Sequence, residues 1–247
     1  MEILLISDIH GNYPALEAVA QRLEPSAFDH IINCGDSLVY GPFPNKTLNW
    51  LQQHRAISIL GNTDKKVIKL LSGKTFKKPS KPEKLIMYRV CANQLSMKNS
   101  SYIGSLPIKA SLDLPWKIDG SSYHSSTIGI FHGSPARPHE FLFDTTEQNR
   151  FEDLAREYPY RVIVTGHSHT PYHLSVGQTH FINPGSVGRM FDGDPAASCA
   201  VLEVSANSIE VRHFRIPYNI DAVISGLRKH QLPQIYEDMF KTGRKLN

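Results

Sequence analysis

The sequence is poor in cysteine, with three in 247 residues. Cys34, Cys91 and Cys199 form no CxxC pair and cannot all pair internally. This argues against a disulfide framework and for a reducing compartment, the cytoplasm. No run of 18 apolar residues occurs, so no membrane span is expected. The opening apolar run is too short for a signal peptide, has no basic flank and ends in charged residues. Net charge is only +4, too small to imply a nucleic-acid partner by itself, and no aromatic-basic groove signature accompanies it. There is no internal repeat and no low-complexity linker.

What is present fits a globular chain, with 40% hydrophobic and 20% charged residues. A length of 247 residues suffices for a full core, and a single domain over 1–247 is expected, with a variable helical and loop elaboration at about 65–127. Within that elaboration, residues 65–84 carry Lys65, Lys66, Lys69, Lys74, Lys77, Lys78, Lys81 and Lys84 against Glu83 alone. These lysines form a solvated loop, or they steer polyanions. Histidine is abundant at twelve, which raises the question of a metal.

Position answers it. The chain opens "MEILLISDIHGN", an apolar run that ends in Asp8, His10 and Asn12. The same grammar recurs: "IINCGD" ends at Asp36, "AISILGN" at Asn62, "TIGIFHGS" presents His132, and "RVIVTGHSH" presents His167 and His169. Each is a short β-branched run leading into a polar loop, as in a buried strand. Near-continuous apolar strands imply sheets covered on both faces. Between them "YPALEAVAQRL", "KTLNWLQQH" and "EQNRFEDLAREY" carry apolar residues at helical spacing. Strand-helix alternation predicts an α/β fold, and ligands in such sheets bind beyond the carboxyl ends of strands. Side chains from these strand ends are therefore expected to converge on one metal site.

The set "DIHGN", "GD", "GNTD", "HGS" and "GHSH" resembles the calcineurin-like metallophosphoesterases. "GDSLVYGPFPNKT", "HGSPARPHEFLF" and "NPGSVGRMFDGDPAASCAVLEV" look like the bacterial and archaeal branch of phosphodiesterase-like and diadenosine tetraphosphatase-like proteins. The resemblance implies a four-layer αββα sandwich of two mixed β-sheets flanked by helices. It also implies two divalent metal ions, one held by Asp8, His10, Asp36 and His169 and the other by Asp36, Asn62, His132 and His167. Two such cations about 3.5–4 Å apart clamp the attacking and leaving oxygens of an in-line displacement at phosphorus. The implied activity is phosphodiester hydrolysis by a metal-bridging hydroxide, with Asp36, Asn62 and His132 closest to the chemistry. Alternatives are a dinucleoside polyphosphate hydrolase, a phosphomonoesterase, or a catalytically weak protein-binding scaffold of the same fold. Mixed nitrogen and oxygen ligands favour manganese, with iron, zinc, nickel, cobalt or magnesium as other choices. The expected partner is a small phosphorylated substrate such as a nucleotide; extended nucleic acid and membrane are not expected.

One position departs from the pattern. Many relatives place His after the Asn of the third motif, whereas Thr63 stands here. A threonine hydroxyl is a poor general acid near neutral pH, so good leaving groups are expected to be favoured. Asp64 either supports the site or caps a helix. Asn12 either donates to the site or occupies the turn before the first helix. Arg137 and Arg189 either grip phosphate oxygens or are surface arginines without a role, and His139, His173 and His180 are expected to be structural. "NPGS" reads as a turn supporting the "GHSH" loop. In the middle segment, "VIKLLSGK" predicts a short helix, "KKPSKPEK" a loop, and "EKLIMYRVCANQL" and "SMKNSSYIGSLP" two helices with Ser96 as a cap. "SCAVLEVS" and "SIEVRHFRI", joined by "ANS", predict a hairpin completing the second sheet. "YNIDAVISGLRKH" and "PQIYEDMFKTG" predict peripheral amphipathic helices.

Overall fold

The computed structural model describes residues 1–114, 125–205 and 208–247. Parts of two sequence expectations, the elaboration at 115–124 and the "ANS" turn at 206–207, lie outside the described residues.

Two mixed five-stranded sheets stack face to face, flanked by helices, an α/β architecture. The first sheet runs β10-β9-β1-β2-β3. In it β1 (Glu2–Ile6), β2 (His30–Asn33) and β3 (Ile57–Ser58) are parallel, and β9 (Ala197–Val204) and β10 (Ile209–Ile216) are antiparallel additions. The second runs β4-β5-β6-β8-β7. Its centre is parallel, β5 (Ser125–Phe131), β6 (Tyr160–Val164) and β8 (Thr179–Asn183), and its edges are β4 (Lys109–Asp113) and β7 (Tyr172–Val176).

The apolar opening is explained by this layering. Side chains alternate along a strand. Ile3 and Leu5 therefore face the second sheet, meeting Ile128, Ile130, Val162 and Val164, while Leu4 and Ile6 face the helices. Both faces of β1 are dry, and each such side chain contributes about 1.5–3 kcal/mol by burial.

The helices over the first sheet are α1 (Tyr13–Leu23), α2 (Pro44–Gln53), α3 (Asn62–Leu71), α4 (Pro82–Gln94), α5 (Met97–Ser105), α7 (Ile220–Lys229) and α8 (Ile235–Thr242). The helix α6 (Gln148–Glu157) covers the second sheet through Phe151 and Leu154. Ser96 caps α5, its hydroxyl accepting from the Asn99 N–H at 3.2 Å. The middle segment packs on the same layer, with Met87, Tyr88 and Cys91 of α4 in the core shared with α1 and α2.

Four expectations change. The terminal hairpin does not complete the second sheet; β9 pairs with β1 in the first, Leu5 opposite Ala200. Its residues are buried on both faces, with Ala200 and Leu202 toward the second sheet and Ala197 and Cys199 toward the helices. Only an interior position accommodates such a strand, and the hairpin's own pattern does not say which sheet offers one. The third strand shrinks to two residues, because the Leu60 N–H turns away to Pro107 O at 2.8 Å. The short helix after it begins earlier, at Asn62, where the Asp64 carboxylate in its first turn reaches back to accept from the Gly61 N–H at 3.0 Å. Finally, α8 is not peripheral in effect: Tyr236, Met239 and Phe240 are buried, and the residues that follow it reach the cleft described next.

Candidate metal centre

The loops after β1, β2, β3, β5 and β6 bring the candidate side chains to one end of the sandwich. Backbone hydrogen bonds zip these loops together. Asp8 N–H donates to Gly35 O at 3.0 Å, His10 N–H to Asp36 O at 2.9 Å, and Gly166 N–H to His132 O at 2.9 Å. The 183–188 turn clamps from the far side: Ser186 Oγ donates to Asp8 O at 2.7 Å, and Asn183 Nδ2 to Gly166 O at 2.8 Å. Close approach requires glycine at two places. A Cβ on Gly61 would lie 2.0 Å from Asp36 Oδ1, and one on Gly166 would lie 2.0 Å from Ser7 Oγ.

Five of the candidates occupy the left-handed backbone region: Asp8 (φ 51°), His10 (54°), Asp36 (52°), His167 (67°) and His169 (58°). Each such residue costs roughly 1–2 kcal/mol. Strain of this kind gathers where a fold must aim particular side chains.

Two groups of donors result, Asp8 with His10 and His169, and Asp36 with His132 and His167. Within each, the donor atoms lie within 4.8 Å of one another. The Asp8 carboxylate is divided between two tasks. Its Oδ2 accepts from Ser7 Oγ at 2.6 Å and from the His167 N–H at 2.9 Å. Its Oδ1 is buried with no hydrogen-bond donor, 3.2 Å from His169 Nε2 and 3.8 Å from His10 Nε2. A buried carboxylate oxygen without a donor is expensive unless a cation meets it.

The imidazoles are oriented by carbonyls. Nδ1–H of His10 donates to Leu38 O at 3.3 Å, that of His132 to Cys34 O at 2.9 Å, and that of His169 to Arg189 O. A carbonyl only accepts, so Nδ1 carries the proton and Nε2 turns inward, the arrangement that orients metal-binding histidines. His10 Nε2 and His169 Nε2 stand 3.2 Å apart. Asn62 Oδ1 faces His132 Nε2 at 3.2 Å, and Asp36 Oδ1 lies 3.5 Å from the same nitrogen. The His167 ring stacks on Phe141 with centroids 4.0 Å apart.

Burial opposes charge throughout. Burial is the largest single influence on Asp8 and Asp36, yet His169 with His132 at Asp8, and His132 with His10 and the Thr63 N–H at Asp36, together outweigh it, so both carboxyls stay well below the usual range. Burial pushes His10 down to about 3 and His167 to about 4, while Asp36 overcomes burial to hold His132 up at about 9. The pattern is that of carboxylates demanding positive charge beside them. Carboxylate, imidazole and amide donors together fit divalent ions of the manganese-to-zinc kind better than calcium.

The remaining candidates divide. Asp64 is fully buried and its carboxylate accepts from Ser37, Leu38 and Gly61 N–H at 3.3, 3.0 and 3.0 Å. Burial and Asp36 push its pKa up to about 7. Thr63 N–H donates to Asp36 Oδ1 at 2.7 Å, and its hydroxyl proton goes to Leu38 O at 3.1 Å. The Asn12 amide is committed to capping α1 through Ala15 N–H at 3.2 Å and to Gly188 O at 3.0 Å. Arg137 is exposed and does not line the cleft, whereas Arg189 is buried and does. His139 is exposed, and His173 and His180 pair with each other across a strand edge at 2.9 Å.

Sequence reasoning missed the walls of the cleft, a space of about 140 Å³. Tyr40, Phe141 and Phe191 line it, together with Lys84 of α4 and Lys245 after α8. The aromatic pair in "HEFLF", directly after a histidine motif, was the available signal for Phe141; nothing local marked Lys245. A larger groove of about 540 Å³, lined by Tyr13, Phe43 and Tyr218, brings together no group of metal-binding side chains among the described residues. Chemistry rather than volume marks the site.

A model of the calcineurin-like phosphoesterase superfamily domain matches residues 1–207. An uncharacterized protein of Methanocaldococcus jannaschii is 27% identical over 261 residues, covering 98% of each chain. Phosphodiesterase YfcE of Escherichia coli is 25% identical over 207 residues, 80% of this chain and 85% of its own. The crystal structure of a metallophosphoesterase from Sphaerobacter thermophilus matches with a TM-score of 0.77 at 27% identity, covering 98% of this chain and 100% of that one. A hypothetical protein from Pyrococcus horikoshii shares the fold at a TM-score of 0.83 and 17% identity, with 99% of each chain covered.

Proposed function

The chain belongs to the calcineurin-like phosphoesterase superfamily, a metal-dependent family, and from that premise we propose that it is a phosphodiesterase working with two divalent ions. Asp8, His10, Asp36 and His169 hold one ion; Asp36, Asn62, His132 and His167 hold the other. The observation that carries the reading is the bare, buried Oδ1 of Asp8 beside imidazoles whose Nδ1 positions are already spent on carbonyls. The Escherichia coli relative that is a phosphodiesterase supports a diester substrate. Cys34, Cys91 and Cys199 are free and buried, in keeping with a cytoplasmic setting.

When bound, divalent ions supply an activated water and positive charge for the attacking and leaving oxygens. The chain's own groups do the rest. Asp36 ties the two donor sets together, and Thr63 N–H fixes its carboxylate. Asp64 holds the loop that carries Asp36. Neutral donors, the imidazoles and the Asn62 amide, leave net positive charge at the floor to attract phosphate.

The test is metal content and turnover. Protein purified with manganese is expected to retain about two ions per chain and to hydrolyse bis(p-nitrophenyl) phosphate. Chelation should abolish turnover and manganese should restore it; a chain with neither stoichiometric metal nor turnover would sink the reading. A second expectation follows from Thr63, whose hydroxyl proton is occupied by Leu38 O. Without a positioned acid, alkoxide leaving groups are handicapped by about 100-fold or more. Thr63→His is expected to raise kcat for an alkyl diester by about tenfold or more relative to an aryl diester. Unchanged relative rates in well-metallated enzyme would contradict it.

A further inference from the structure

We propose, resting on the two-ion reading above, that Phe141 is the positioning residue of His167, and that the ion pair of Glu140 with Arg150 holds it there. The other three imidazoles of the centre, His10, His132 and His169, are each tied through Nδ1 to a backbone carbonyl. His167 is not. Its backbone N–H donates to Asp8 Oδ2 at 2.9 Å, but neither ring nitrogen makes a hydrogen bond among the described residues. Metal-binding histidines owe their ring orientation to such ties, so another contact must supply it here. Phe141 lies face to face on the ring, with centroids 4.0 Å apart and planes 18° from parallel. The His132 ring stands beside it at 4.8 Å and 56°. A face-to-face neighbour fixes the plane of the imidazole, and with it the direction of the donor nitrogen.

The chain around Phe141 is built to aim it. On one side, the Glu140 carboxylate accepts from Arg150 Nε and Nη2 of α6, both at 2.8 Å, a two-pronged geometry that fixes orientation as well as distance. The Ser134 hydroxyl donates to the same carboxylate. On the other side, Leu142 is 2% exposed and packs in the core that Phe151 and Leu154 of α6 share. Both neighbours are thus committed to α6, while Phe141 between them is 52% exposed and lines the metal cleft. An exposed ring adds little to the core, so its contact with His167 is the one that counts. Phe143 braces it with a further ring at 6.1 Å, 10° from parallel. The loop from His132 to Phe141 therefore supplies one imidazole of the Asp36 group and the ring that aims the other.

The experiment compares the full chain as wild type, Phe141→Ala, Phe141→Tyr and Glu140→Ala. In metal-free protein, NMR of the histidine rings should find the His167 ring protons upfield, because they lie over an aromatic face. Phe141→Ala should return them to ordinary positions, and Phe141→Tyr should leave them upfield. Titration with manganese should show one of the two ions bound about tenfold more weakly in Phe141→Ala, with the other ion unaffected. Phe141→Tyr should restore the affinity, and Glu140→Ala should weaken the same ion. The manganese concentration that half-activates hydrolysis of bis(p-nitrophenyl) phosphate should rise by the same factor.

Unchanged affinity for both ions in Phe141→Ala, or an equal loss in Phe141→Tyr, overturns the positioning role. So does a change confined to the KM of the diester, which is what a wall touching only substrate would give. Unchanged affinity in Glu140→Ala overturns the anchor. A wild type that binds both ions and turns over no ester sinks the phosphoesterase reading alone, because ring signals and affinities still decide the role of Phe141.

Discussion

Asp36→Asn is expected to lower kcat/KM toward a phosphodiester by at least about 100-fold, a loss that even an outer partner of a metal ligand can reach. The side chain has nearly the same shape, so the effect isolates charge. The field of Asp36 reaches both donor sets and on each outranks that of Asp8, acting on His10 in one and His132 in the other. The amide oxygen can still accept from Thr63 N–H, as Oδ1 does now at 2.7 Å. Metal analysis should show fewer ions per chain, while the melting temperature of the metal-free protein stays within a few degrees of wild type, because buried Asp8 and Asp64 lose a like-charged neighbour. Full metal content with full activity would remove Asp36 from the centre.

Asp64→Ala is expected to cost about 3 kcal/mol or more of stability, because buried N–H groups left without acceptors cost about 1–3 kcal/mol each. The carboxylate accepts from Ser37, Leu38 and Gly61, on two loops that meet nowhere else through so many bonds to one side chain. For a chain of this size about 3 kcal/mol corresponds to a drop in melting temperature of roughly 6–12 °C. Activity should fall as well, since the 36–38 loop would no longer hold Asp36 against Gly61. Calorimetry gives the first readout, and amide exchange at Ser37 and Leu38 the second. Stability within about 0.5 kcal/mol of wild type, the range of ordinary surface changes, would show that Asp64 is not the clamp.

The legible part of the site lay in runs whose meaning is local. An apolar strand ending in Asp-x-His, or in Gly-His-x-His, needs only the alternation of side chains and the preference of strand ends for polar loops. The same held for the helices at 13–23 and 148–157, whose apolar faces repeat at helical spacing. Where competing local signals existed, reading became harder. Asn12 stood equally for a cap and for a donor, and the hydrogen bonds to Ala15 and Gly188 account for both ends of its amide. Asn62 ended an apolar run that looked like a strand leading into loop, yet it opens α3, and Asp64 fills the helix-capping role that was one of its two readings.

The order of residues along the chain determined the sheets, their dry faces and the chemical types at their tips, because each follows from periodicity within a few neighbours. Which sheet received the final hairpin, how three histidines share carbonyls 28, 98 and 20 positions away, and how Arg189, Lys84 and Lys245 came to face one cleft were decided only by tertiary structure. These depend on distances through space between segments remote in the chain, and no short-range pattern encodes them.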